Sequence, residues 1–223
     1  MVGQVGLGIM GGAFAQHLLT ARFGVIGFDP DTKARAAHAK RGGDCAASAA
    51  AVARQCSVII TSLPSVKAME TAFFGKEGIA AGAKKGTIVI EASTMPLEVK
   101  HDIRARCAEL GITVLDCPIS GTGAQAAAKD AIVYASGDAA AYKKCKAVFA
   151  GMARNTYYCG KFGIGSKLKF IATAGKFLLI AAKGSKLLVT GGSMFLSMWL
   201  YATVFGWPFA AGFVALIFVH EMG

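Results

Sequence analysis

Carboxylates all but vanish from the last third of this chain. Beyond residue 138, ten lysines and arginines face Glu221 alone, whereas the first 138 residues hold 14 basic and 12 acidic side chains. Such a basic excess suits an anionic substrate, a membrane-flanking segment or nucleic acid. No nucleic-acid motif accompanies it, and that partner is set aside. Pairs of the C-x-x-C type are missing among Cys45, Cys56, Cys107, Cys117, Cys145 and Cys159, which excludes the usual cysteine metal sites and predicts reduced thiols and no resident metal. No basic stretch followed by an apolar core opens the chain at Met1-Val2-Gly3, so the N-terminal part is expected in the cytoplasm. Charge is missing altogether from Leu187 to Val219, 33 positions.

Glycine, by contrast, is plentiful, and its placement near the start carries the first functional reading. The apolar run from Val2 leads into Gly6-Leu7-Gly8-Ile9-Met10-Gly11, a G-x-G-x-x-G turn followed by helix-forming residues. Gly6 permits a sharp turn, Gly8 lets the backbone approach a pyrophosphate, and Gly11 lets the helix pack on the strand. The helix N-terminus then offers N–H groups to phosphate. Twenty residues on, Gly24-Val25-Ile26-Gly27-Phe28-Asp29 reads as a second strand ending in a carboxylate, placed to accept from a ribose diol and to repel a 2′-phosphate. NAD is therefore expected ahead of NADP. A second reading makes Asp29 the cap of the helix that opens at Pro30, and the two roles are compatible.

From residue 1 to about 150, apolar strands alternate with helical segments, the pattern of an α/β, Rossmann-type doubly wound parallel sheet. The predicted strands are 2–6, 25–29, 58–62, 87–91, 112–116 and 131–135. Helices are predicted at 10–22, 31–41, 48–55, 65–74, 95–110 and 138–150. Three loops then fall where strands end, the edge at which open parallel sheets bind ligands: Ser62-Leu63-Pro64, Glu91-Ala92-Ser93-Thr94, and Asp116-Cys117-Pro118-Ile119-Ser120-Gly121-Thr122-Gly123.

With Gly163-Ile164-Gly165-Ser166-Lys167-Leu168-Lys169 added, these motifs stand in the order of the β-hydroxyacid dehydrogenases, and residues 1–173 resemble that family. The resemblance implies cofactor contacts at Gly6, Leu7, Gly8, Ile9, Met10, Gly11, Asp29, Leu63, Pro64, Ser93 and Thr94. It also implies a substrate carboxylate held at Ser120, Gly121 and Thr122. Lys169 matches the family's catalytic lysine, which passes a proton while hydride moves between a small hydroxy acid or semialdehyde and the nicotinamide. Such a lysine works near neutral pH only if burial or positive neighbours lower its pKa. Three positions depart from the family pattern: Thr122 and Asp130 replace glycines, and Thr173 replaces a substrate-holding asparagine with a shorter side chain. Thr173 is still expected at the substrate.

The chain divides by these readings into a cofactor domain (1–160), an interdomain helix or linker (161–186) and a hydrophobic helical tail (187–223). The tail is expected to be truncated relative to the family's helical domain, which closes the site and forms the dimer, so turnover is expected to be weak; a cofactor-binding module without turnover is the alternative. A bilayer core needs about 20 apolar residues in a helix, so the tail reads as transmembrane, with one span over 187–205 and a second starting at Pro208. Lys176, Lys183 and Lys186 would hold the cofactor domain on the cytoplasmic side. The rival reading is a very apolar helix pair buried in a soluble dimerisation domain. The tail also resembles the opening of a site-two-type intramembrane metalloprotease, whose H-E-x-x-H motif would begin at His220-Glu221 but has no second histidine here.

Overall fold

The computed structural model describes residues 1–172. Residues Met1–Phe170 form one compact unit and Ile171–Gly223 a second. Thr173, Lys176, Lys183, Lys186, the run 187–219, Pro208, His220 and Glu221 lie outside the described residues. Among the described residues, no helix is long and apolar enough to cross a membrane.

The first unit is built on a six-stranded parallel sheet. Its strands are β1 (Val2–Val5), β2 (Val25–Phe28), β3 (Asp44–Cys45), β4 (Val58–Thr61), β5 (Ile88–Glu91) and β6 (Thr113–Asp116), in the order β3-β2-β1-β4-β5-β6. The order reverses direction between β1 and β4, the switch point at which such sheets open a ligand crevice. Helices α1 (Ile9–Thr20), α2 (Thr32–Lys40), α3 (Ala49–Gln55), α4 (Val66–Phe74) and α5 (Leu97–Glu109) connect these strands. The strands are apolar on both faces, as a sheet covered on both sides requires: Ile88 and Ile90 enter one core cluster and Val89 the other.

A second, three-stranded sheet follows, made of β7 (Ile119–Ser120), β8 (Ile132–Ala135) and β9 (Asn155–Tyr158), with α6 (Gly123–Ala127), α7 (Ala139–Lys144) and α8 (Lys146–Met152) between them. The strand predicted at 131–135 is real but does not join the parallel sheet. It runs antiparallel to β7 and parallel to β9, and only the bridge between Asp116 and Ser136 ties its end to β6. The helix predicted over 138–150 breaks into α7 and α8 around Cys145. Three short strands, β3, β7 and β9, fall outside the predicted ones, since none carries an apolar run.

Candidate active site

The glycine-rich turn has three glycines with three different surroundings. Gly6 has φ +90°, and a Cβ there would lie 2.2 Å from the Ser62 carbonyl oxygen, so both conformation and space demand glycine. A Cβ on Gly11 would lie 2.0 Å from the Gly6 carbonyl oxygen; here the demand comes from α1 packing on the turn. At Gly8 a Cβ would meet nothing within 4 Å among the described residues. None of them needs Gly8 to be small, which is the situation expected where a ligand's phosphates approach the backbone.

Gly6, Gly8, Ile9 and Met10 line a mostly apolar cleft of about 760 Å³, together with Asp29, Leu63 and Pro64. Ile9 is 80% exposed at its mouth. A cleft of this size lies in the range of cofactor sites. Asp29 accepts from the Leu7 N–H at 2.7 Å and from the Asp31 N–H at 2.8 Å. It is not the helix cap: α2 starts at Thr32 and is capped by Asp31, whose carboxylate accepts from Lys33 N–H. A carboxylate has about four lone-pair sites, so Asp29 retains acceptor capacity toward a ribose hydroxyl.

Leu7, Gly11, Ser93 and Thr94 do not line this cleft; the first three are buried and Thr94 is exposed. Ser93 Oγ accepts from the Leu63 N–H at 2.9 Å, which fixes the Ser62-Leu63-Pro64 turn to the end of β5. Thr94 meets the amine of Lys169 through its hydroxyl, 75 residues away in sequence. Lys169 is half-buried within the helical segment 164–172. Burial lowers its pKa from the ordinary lysine value; the Lys100 charge adds to that, and Glu91 opposes it.

Close packing sets the approach of the Lys169 helix. Gly163 has φ +90°, and a Cβ on Gly165 would lie 2.2 Å from the Tyr134 carbonyl oxygen. The helix therefore starts against β8, and Gly165 N–H donates to Ser136 Oγ at 3.0 Å. Around Ser120 the chain leaves β7, and Thr122 caps α6 in a capping box with Gln125: Thr122 N–H donates to Gln125 Oε1 at 2.9 Å and Gln125 N–H to Thr122 Oγ1 at 3.3 Å. The Thr122 N–H is thus already engaged, which leaves Ser120 and Gly121 as the better placed of the three for an incoming carboxylate. Asp130, the other departure from the family pattern, pairs with Arg154 at 2.6 Å on the surface.

One cluster was not anticipated. Lys100, with 1% of its side chain exposed, holds its ammonium 2.7 Å from Glu91 Oε2 and 2.8 Å from Asp116 Oδ1. The Asp116 contact is a hydrogen bond, whereas Glu91 Oε2 is close but lacks hydrogen-bonding geometry. Burial pulls the Lys100 pKa down, yet the two carboxylates more than offset it and hold it above the ordinary value. The available sequence signal was two apolar strands, Ile88-Val89-Ile90-Glu91 and Thr113-Val114-Leu115-Asp116, each ending in an acid. Adjacent acids on paired strands repel unless a cation joins them.

Fold and cleft together define a dinucleotide-binding Rossmann domain with a lysine held at the carboxyl edge of its sheet. Residues 1–160 match the model of the NAD binding domain of 6-phosphogluconate dehydrogenase, and the chain belongs to that family. L-Threonate dehydrogenase of Cupriavidus necator is 35% identical over 83% of this chain and 64% of its own length. NAD-dependent L-serine dehydrogenase of Pseudomonas aeruginosa is 29% identical over 98% of this chain and 82% of its own. The 3-hydroxyisobutyrate dehydrogenase of Mycobacterium tuberculosis, solved with L-serine, superposes with a TM-score of 0.76 at 25% identity, covering 92% of this chain and 70% of that one. The chain thus spans just under two thirds of the L-threonate dehydrogenase it matches.

Proposed function

We propose that this protein is an NAD-dependent dehydrogenase of small 3-hydroxy acids. The observation that carries the reading is the meeting of Lys169 with Thr94 at the end of β5, two strands from the Gly8 turn, with the amine's pKa lowered by burial. A lysine so placed suits proton transfer near neutral pH. The bound nicotinamide would supply the hydride chemistry. Gly8, the α1 N-terminus and Asp29 would hold the cofactor's phosphates and ribose, and Leu63 and Pro64 the rest of the cleft wall. Ser120 and Gly121, with Thr122, would take the substrate carboxylate, and Thr173 would assist at the substrate with less reach than an asparagine. In oxidation, the Lys169 amine would take the substrate's hydroxyl proton as the carbinol carbon, giving up its hydrogen to that hydride chemistry, becomes a carbonyl. NADH formation with L-threonate, L-serine and 3-hydroxyisobutyrate tests this. Substrate-dependent NADH formation should appear with one of them and fall about 10²–10⁴-fold in Lys169→Ala while NADH binding persists. No turnover on any of these, or turnover untouched by the change, refutes the assignment.

The tail carries two readings. The match to L-serine dehydrogenase through 98% of this chain supports residues 187–223 as apolar helix of a dehydrogenase helical domain. The charge-free run over 187–219 supports bilayer insertion, with the cofactor domain on the cytoplasmic side and the likeness around His220-Glu221 as a protease remnant. Extraction of cell membranes with alkaline carbonate separates them. Release into the supernatant supports the helical domain, and retention with the lipid supports the span.

A further inference from the structure

Lys100 takes no part in the proton transfer proposed above, yet it is the most buried cation among the described residues. Both groups it pairs with lead to the reactive lysine. Glu91 accepts from the Ser93 N–H through Oε1 at 2.8 Å, and the next residue, Thr94, meets the Lys169 amine. Asp116 accepts from the Ser166 N–H through Oδ2 at 2.9 Å and from the Ser166 hydroxyl through Oδ1 at 2.7 Å, and Ser166 lies one helical turn before Lys169. The two sides of the Lys169–Thr94 contact are therefore hung on two carboxylates that one ammonium joins.

We propose that Lys100 is a positioning residue for the Lys169 amine: it locks the Ser93-Thr94 loop to the start of the Lys169 helix and turns a positive field toward that amine. Lys100 from α5 and Glu91 from β5 are among the charges that act on Lys169; Asp116 from β6 pairs with Lys100, and Lys167 is exposed. Like charge disfavours a second ammonium and opposite charge favours it. Lys100 and Glu91 consequently pull the Lys169 protonation equilibrium in opposite directions.

The inference rests on the dehydrogenase reading only for the use of the Lys169 amine, and its test needs no substrate. The full chain is labelled with ¹³C at lysine Cε, and the Lys169 signal is assigned by its loss in Lys169→Arg. Its titration midpoint is then followed against pH. In Lys100→Met the midpoint should rise by about one unit, in Glu91→Gln it should fall, and Lys100→Arg should return it toward the wild-type value. A merely structural role would move both of the first two variants the same way or neither. A midpoint that does not rise in folded Lys100→Met, or does not fall in Glu91→Gln, overturns the proposal. If Lys100→Met does not fold, Lys100→Gln, which can hydrogen-bond the carboxylates without the charge, is read in its place: the midpoint should rise, and no rise overturns the proposal. A wild type without turnover leaves this titration as readable as before, so failure of the dehydrogenase reading and of this one are separable.

Discussion

Glu91 and Asp116 are register partners on adjacent parallel strands, and their carboxylates close on one buried ammonium, that of Lys100. The arrangement places two acids where side chains on paired strands are nearest neighbours. It is stable only while the cation is there.

Asp116 accepts from Lys100, from Ser136 Oγ and from both the N–H and the hydroxyl of Ser166. Asp116→Asn turns one of two acceptor oxygens into a donor among donors and leaves the ammonium with one carboxylate partner. A loss of about 3–5 kcal/mol is expected, the usual cost of breaking a buried pair. Urea unfolding measures it, and a loss below about 1 kcal/mol would show that the cluster tolerates the change.

Gly8 and Gly11 should respond to a larger side chain in opposite ways. Gly8→Val has open space for its side chain in the protein alone, so its thermal midpoint should stay near wild type while NADH affinity falls by at least about tenfold, roughly 1.4 kcal/mol. Gly11→Val drives a Cβ into the Gly6 carbonyl and should destabilise by about 1–3 kcal/mol through overpacking. Calorimetry and melting curves on both variants check the pair. Unchanged NADH affinity in Gly8→Val would remove the glycine turn from the binding site.

Asp29 should make the protein favour NAD over NADP. A 2′-phosphate about 4 Å from the carboxylate would be repelled by about 1–4 kcal/mol per charge between aqueous and surface dielectric conditions, enough for a tenfold preference. Asp29→Asn should narrow the preference and also weaken NAD, because the amide has one acceptor oxygen for the two N–H groups now served. Equal binding of NADP by the wild type would place the carboxylate away from the ribose.

His38 sets a limit on the acid side. Its pKa is lowered, first by burial and to a smaller extent by Arg41, against opposing hydrogen bonds. The folded state therefore holds fewer protons at this site than the unfolded chain. Its stability is full above the unfolded histidine value of about 6.5 and falls as pH drops through the lower folded value. Denaturant midpoints at pH 7.5 and 5 should differ more for the wild type than for His38→Gln; equal differences would show that other groups dominate.

The parallel sheet, the glycine turn and Asp29 were legible because each is a local property. An apolar run of four or five residues, a glycine at φ +90° and an acid at a strand end all follow from neighbours in the chain. The capping Asp31 displaced Asp29 from the alternative role, a choice between acids two residues apart that only the hydrogen bonds resolve.

The family motifs also marked the Ser93-Thr94 loop and Lys169, yet their contact joins positions 75 apart, and nothing within either motif dictates it. Strand 132–135 could not be assigned to its own sheet from its pattern, since both sheets accept the same apolar alternation and the tie to Asp116 is a single bridge. Nothing in the sequence around Lys100 sets it apart from a helix-surface lysine. Sequence by itself determined the five longer strands of the parallel sheet, the helices between them and where the dinucleotide turn falls, because those depend on short-range sterics and periodicity. Tertiary structure alone decided that Glu91, Lys100, Asp116 and Ser166 form one connected cluster, because burying that ammonium is favourable only once two distant carboxylates are packed around it.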